Sequence, residues 1–136
     1  QKKSEASLSR IRLYDNVIDT LSELKKDMRL ILITNAHRKT LNIKLGKFDI
    51  KPYFHEIVCA HELYYVKEDV QLWYMLRSKY QLDFDKTVLV EDTLNNINVA
   101  LSAGVSSAVY LGDEDLPSSD RLLKLDSINQ LLSTFD

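Results

Sequence analysis

The stretch Thr87-Val88-Leu89-Val90-Glu91-Asp92-Thr93-Leu94-Asn95-Asn96 constrains this chain more than any other. An apolar run of strand length ends in two carboxylates, and a helical pattern follows from about Leu94 to Ala103. A short continuous apolar run of this kind fits a strand buried on both faces of a parallel sheet. In an open α/β sheet, ligands gather just beyond the carboxyl ends of the strands. Asp92 therefore stands where a hard cation such as Mg²⁺ would find an oxygen ligand. A second apolar run, Arg29 to Ile33, ends in Thr34-Asn35, and Lys67 opens a third unit. A carboxylate, a hydroxyl and a lysine, each at a strand-to-helix junction, point to a site for phosphate and metal.

The pattern extends along the chain. Leu13, Val17, Ile18, Leu21 and Leu24 follow helical spacing and predict an amphipathic helix over Arg12 to Lys26. A helix is expected after Thr34-Asn35, passing through Leu41 and Leu45 and stopping at Gly46. Strands are predicted at Glu56 to Ala60, Thr87 to Glu91 and Ser107 to Leu111, with a helix from Glu68 to Tyr80 carrying Leu72, Leu76 and Tyr80 on one face. Gly104 is the expected stop of the helix after Asp92. Gly112 to Asp120 reads as an acidic loop, and a last helix capped by Asp126 or Ser127 carries Ile128, Leu131 and Leu132. This alternation predicts an α/β domain, one parallel sheet with right-handed crossovers and helices on both faces. Residues 1–10 read as a disordered or linker segment, and residues 11–136 as the domain itself.

Several functions are disfavoured by composition. With 136 residues, 45% of them hydrophobic, the chain suffices for one domain with a real core. The net charge of −2 and the scattered basic residues argue against nucleic acid as the main partner. No apolar run has the length of a membrane span, and no signal-peptide core opens the chain. Cys59 is the sole cysteine and reads as a small buried hydrophobe, so a reducing cytoplasm is the expected setting. His55, His61 and Cys59 lack metal-ligand spacing with one another.

Taken alone, each junction residue has an ordinary reading. Thr34 would cap the next helix, Asp92 would be an N-cap, and Lys67 would be a solvated lysine in a first helical turn. Trp73, Tyr64 and Tyr65 would be packing residues, and His37 an exposed first-turn histidine. The set, however, resembles a known pattern. Ile33-Thr34-Asn35, Lys67-Glu68-Asp69 and Glu91-Asp92-Thr93-Leu94-Asn95-Asn96-Ile97 are similar, in order and spacing, to motifs II, III and IV of the haloacid dehalogenase (HAD) superfamily. Leu32-Ile33-Thr34-Asn35-Ala36-His37, with Val66-Lys67-Glu68-Asp69 and Leu72-Trp73, most resembles the bacterial GMP/IMP 5′-nucleotidases of that superfamily.

The resemblance implies a HAD-like Rossmannoid three-layer sandwich and a Mg²⁺-dependent phosphatase acting on a nucleoside monophosphate. Thr34, Lys67 and Asp92 would be catalytic, with Thr34, Asn35, Lys67 and His37 contacting substrate. Asp92, Glu91 and Asn96 would be the metal set, with Asn95 in support. Three departures stand out: Glu68 occupies a common proline position, Glu91 a usual glycine, and Asn96 the place of a second acid. The resemblance also implies a first motif, Asp-x-Asp-x-Thr/Val at the end of a central strand, whose first aspartate is the nucleophile. Asp83-Phe84-Asp85 precedes its strand, Asp113-Glu114-Asp115 comes too late in the chain, and Asp15 and Asp19 lie in the first helix. The nucleophile, the central strand and a helical cap are thus expected upstream of Gln1, in a missing N-terminal segment of the same protein. Two other readings remain: a catalytically inactive HAD-like binding or interaction domain, and a receiver-like flavodoxin-type domain. The latter is disfavoured by the lack of a Gly-rich phosphate loop.

Overall fold

The structure, a computed structural model, describes residues 17–47, 50–116, 119–126 and 130. Helix α1 occupies 17–27 of these, with Leu21 buried against the core and Val17, Ile18 and Leu24 half-buried. Leu13 and the rest of the expected start lie outside the described residues. Strand β1 is Ile31–Thr34 and helix α2 Arg38–Lys47, one residue past the expected stop at Gly46. Strand β2, Glu56–Cys59, runs into a 3₁₀ turn over Ala60–Leu63. Helix α3 is Val70–Tyr80, followed by β3 at Val88–Glu91, α4 at Leu94–Ala103 and β4 at Ser107–Tyr110. Strand β5, Leu122–Lys124, was not expected; it follows the acidic loop directly. The final helix expected from Asp126 or Ser127 falls largely outside the described residues.

All strand pairs are parallel, as expected, and they form two ladders, in keeping with a parallel sheet whose central strand these residues do not supply. In one, β1 pairs with β2, with Ile31 opposite Glu56 and Thr34 opposite Cys59. In the other, the order is β3-β4-β5, with Glu91 opposite Tyr110 and Tyr110 opposite Lys124. Among the described residues, β1 and β3 share no backbone ladder. The expectation of strands buried on both faces is corrected: the apolar run of β1 is only half-buried at all four positions, and Val90 of β3 is 37% exposed. A parallel strand is enclosed only when both neighbours and both faces are covered. Among the described residues, each of these two lacks a partner along one side.

The main core lies between the ladders and helices α3 and α4. Leu72 and Leu76 are fully buried there with Trp73, Val58, Ala60, Phe84, Ala100 and Ala103. A smaller cluster of Ile97, Ala108 and Tyr110 packs α4 on the second ladder. Helix α3 begins where it does because Asp69 caps it, its Oδ1 accepting the Gln71 N–H at 2.9 Å. Helix α4 ends at Gly104, whose φ of 113° is one that glycine tolerates far better than L-residues.

Candidate active site

The carboxyl ends of β1, β2 and β3 are joined by a relay of side-chain contacts. Asn35, just past β1, spans to the loop after β2: its Oδ1 accepts the Lys67 N–H and its Nδ2 donates to Glu68 Oε1, both at 2.9 Å. Lys67 lies in a turn three residues before α3, which sets aside its ordinary reading as a solvated lysine in a first helical turn. Its carbonyl accepts the indole N–H of the buried Trp73 at 3.1 Å. The backbone of Lys67 is therefore held on both sides, and its ammonium is aimed across the gap between the ladders. There Lys67 Nζ donates to Glu91 Oε1 at 2.7 Å.

Glu91 completes the relay. Its other oxygen, Oε2, accepts the N–H groups of Asp92 and Thr93, each at 3.0 Å, at the entrance to α4. Asp92 is thus not the N-cap: Thr93 holds that position without a side-chain cap bond, and the Glu91 carboxylate supplies it instead. Burial pushes the Glu91 carboxyl up, but its bonds to Lys67 and to Asp92 outweigh that and hold it below the ordinary glutamate range. Asp92 is shifted the opposite way. Its hydrogen-bonded neighbour Glu91 raises its carboxyl first, with burial and like charge adding to the effect.

The remaining expected site residues are spread around this relay. Thr34 closes β1, and its Oγ1 accepts the Ala36 N–H at 3.0 Å, bending the loop instead of capping α2. Asp92 is exposed, and its Oδ1 accepts from Thr93 Oγ1 at 3.3 Å. Asn96 is buried on α4, and its Oδ1 has no hydrogen-bond partner among the described residues. Asn95 is exposed on the first turn of α4. His37 stands apart from the relay and stacks face to face on His61, ring centroids 4.3 Å apart and planes within 10°. Asp83, Phe84 and Asp85 sit in a 3₁₀ turn before β3, at the opposite sheet edge, as expected. Asp113, Glu114 and Asp115 follow β4, and Asp15 lies outside the described residues.

Whether this donor set fits a divalent ion turns on Asp92 and Asn96. Among the described residues, no group of three or more His, Cys, Asp or Glu side chains is arranged to hold a metal. A closed cage is thereby disfavoured. Asp92 offers an exposed carboxylate and Asn96 an amide oxygen without a partner among the described residues, oxygen donors of the kind Mg²⁺ takes through few protein groups while keeping several waters. Glu91 lies in the same cluster, its oxygens already engaged by Lys67 and α4.

The sequence reading missed Trp73 as a positioning residue for Lys67. The six-residue separation is compatible with a fold-back contact, but apolar periodicity alone assigns the indole to packing. It also missed that Glu91 would neutralise Lys67, since adjacency in sequence separates them by the whole of α3.

The structure is thus a parallel α/β domain with Thr34, Lys67, Glu91 and Asp92 at or just beyond its strand ends. The haloacid dehalogenase-like hydrolase family model matches residues 1–110, and the chain belongs to that family. It is 31% identical over 105 residues to mouse N-acylneuraminate-9-phosphatase, covering 76% of this chain and 42% of that protein. It is 28% identical over 104 residues to the GMP/IMP nucleotidase YrfG of Escherichia coli (strain K12), covering 76% of this chain and 47% of that protein. The chain thus spans less than half the length of these relatives. The magnesium-bound HAD-hydrolase YfnB of Bacillus subtilis has the same fold, with a TM-score of 0.79 at 17% identity over 90% of this chain and 55% of that one.

Proposed function

We propose that this chain supplies most of the active site of a phosphomonoester hydrolase acting on a nucleoside 5′-monophosphate of the GMP or IMP kind. The observation that carries the reading is the Asn35–Lys67–Glu91–Asp92 relay, which ties three strand ends into one charged cluster. In this reading an aspartate from a preceding segment of the same protein attacks phosphorus, and the P–O bond to the leaving group breaks as that oxygen takes a proton. Water then attacks the acyl phosphate and releases inorganic phosphate. Thr34 and the N–H groups after it orient a phosphoryl oxygen, and Lys67 offsets the charge that builds on the group in flight. Asp92, with Asn96 and Glu91, would hold Mg²⁺, which when bound neutralises phosphoryl charge. The first strand of the same segment would fill the space between β1 and β3. A cytoplasmic setting accords with the lone buried cysteine, and among the described residues no helix is long and apolar enough to cross a membrane.

The test is hydrolysis of GMP and IMP by the protein carrying its nucleophile segment. Lys67→Ala and Asp92→Asn should each lower kcat by about 10²–10³-fold with the fold retained, as loss of one charge-stabilising group does elsewhere. Near-wild-type rates for both variants would end the assignment. One observation favours a second reading, a non-catalytic binding domain: Lys67 is already neutralised by Glu91, and Asn96 brings no charge. That reading expects no Mg²⁺-dependent turnover even with the segment present.

A further inference from the structure

Glu68 is an exposed acid with no role in the chemistry proposed above, yet it holds one end of the Asn35 amide. We infer that Glu68 is a positioning residue for Lys67: through the Asn35 side chain it fixes the backbone from which the ammonium crosses to Glu91. Its part in turnover rests on the phosphatase reading above, whereas its part in holding the loop does not. Glu68 is also one of the three departures from the family pattern. Proline in its place would stiffen the turn through its ring but give Asn35 Nδ2 no side-chain acceptor.

The Asn35 amide has two ends of opposite character, and each meets the partner it needs. Its Oδ1 accepts the Lys67 N–H and its Nδ2 donates to Glu68 Oε1, both at 2.9 Å. A half-turn about the last side-chain bond would exchange oxygen and nitrogen with little change of shape. The Lys67 N–H can only donate and an ionised Glu68 carboxylate can only accept. The exchanged amide would therefore lose both bonds and set like groups against each other. Glu68 has the stronger hold of the two, because a hydrogen bond to a charged acceptor exceeds one between neutral groups. Glu68 thereby keeps Oδ1 turned towards Lys67.

Lys67 depends on that orientation. In a turn its N–H meets no helical carbonyl, and Asn35 supplies the acceptor. Without it the backbone would be held from one side alone, through the Trp73 indole on the Lys67 carbonyl. The Lys67 side chain is 17% exposed and ends 2.7 Å from Glu91, on a flexible four-carbon stem. A shift of its backbone is thus passed to the ammonium, and a misplacement of about 1 Å can cost about 10²-fold in rate. Glu68 also has an ordinary role to be set against this one: an acid two residues before α3, whose charge favours a helix N-terminus. Chemistry separates the two. The helix needs the charge and tolerates a shorter side chain; the tie to Asn35 needs the length and an acceptor oxygen and tolerates loss of the charge.

The test is amide hydrogen exchange at Lys67 in the full chain, with the buried Leu72 and Leu76 of α3 reporting that the fold is kept. Glu68→Ala and Glu68→Asp should each speed exchange at Lys67 by about tenfold, as loss of one bond to a charged group does, while Glu68→Gln stays within about threefold of wild type. Asn35→Asp should loosen Lys67 too, by setting two carboxylates together. Adding Glu68→Gln should restore it, because carboxylate and amide have then changed places. In the protein carrying its nucleophile segment, GMP hydrolysis should fall in kcat rather than KM, by about tenfold for Glu68→Ala and Glu68→Asp and little for Glu68→Gln. Unchanged Lys67 exchange in Glu68→Ala, or loosening by Glu68→Gln but not by Glu68→Asp, would overturn the positioning role and leave the phosphatase reading standing. Full turnover by Glu68→Ala beside an inactive Lys67→Ala would overturn it as well. Exchange in the expected order, with Lys67→Ala still hydrolysing GMP at the wild-type rate, would keep the tie to Lys67 and remove the phosphatase reading instead.

Discussion

Glu91 joins three parts of the molecule through one carboxylate. Its Oε1 meets Lys67 from the first ladder's loop, and its Oε2 closes the start of α4. With the Glu91 side chain 4% exposed and that of Lys67 17%, removing either partner strands a buried charge. Glu91→Ala should therefore cost about 3 kcal/mol in stability, measured by denaturant unfolding at neutral pH. The pH dependence follows from the direction of the shift. The folded carboxyl titrates below its unfolded value, so its contribution is complete above the ordinary glutamate range and is lost as pH falls through the lower, folded pKa. Wild-type stability should fall on acidification through that window, and the Glu91→Ala protein should lose that component of the fall. Asp92 works in the other sense: raised by Glu91, its charge is a cost that is complete only above its folded pKa. In Glu91→Gln the Asp92 carboxyl should titrate closer to an ordinary aspartate, which carboxyl-carbon NMR would read directly.

At the scale of elements, the end of α4 shows how one backbone angle fixes a boundary. Gly104 sits at φ 113°, and a Cβ added there would lie 3.5 Å from the Phe84 ring, an ordinary contact. The cost of Gly104→Ala is therefore conformational, not steric, and should be about 1–2 kcal/mol, read as a fall in the denaturant midpoint with an unchanged slope. This helix was legible because chemistry marks both its ends, acids before Leu94 and a glycine after Ala103, with Ile97 and Ala100 on its inner face. Other boundaries were not so marked. The start of α3 moved from Glu68 to Val70 because Asp69 competes successfully as its cap, which leaves Lys67 in a turn with its backbone free to be held by Asn35 and Trp73. Strand β5 has only three residues and follows an acidic loop, so its sequence carries no period. In the site, the residue types and their strand ends could be read from the chain. The Lys67–Glu91 pairing and the His37–His61 stack could not, because each joins groups from different crossovers.

For the molecule as a whole, the separation of the two ladders is the feature on which the proposed function turns. β1 and β3 end on the same side, at Thr34 and Glu91, and side chains connect them there through Lys67, while no backbone ladder joins them among the described residues. A strand inserted between them would complete the hydrogen bonds of both and cover the half-exposed β1 and Val90. It would also end beside the relay. Amide hydrogen exchange tests this directly, because N–H groups of a strand alternate between its two sides. In this chain by itself, the amides of β1 and β3 that face β2 and β4 should be protected, and those facing the gap should exchange far faster. In a protein carrying the proposed nucleophile segment, the gap-facing amides should become protected to the level of their neighbours. Uniform protection already present in this chain would mean that some other segment or a second copy occupies the gap, and the nucleophile would then have to reach Lys67 and Asp92 by another route.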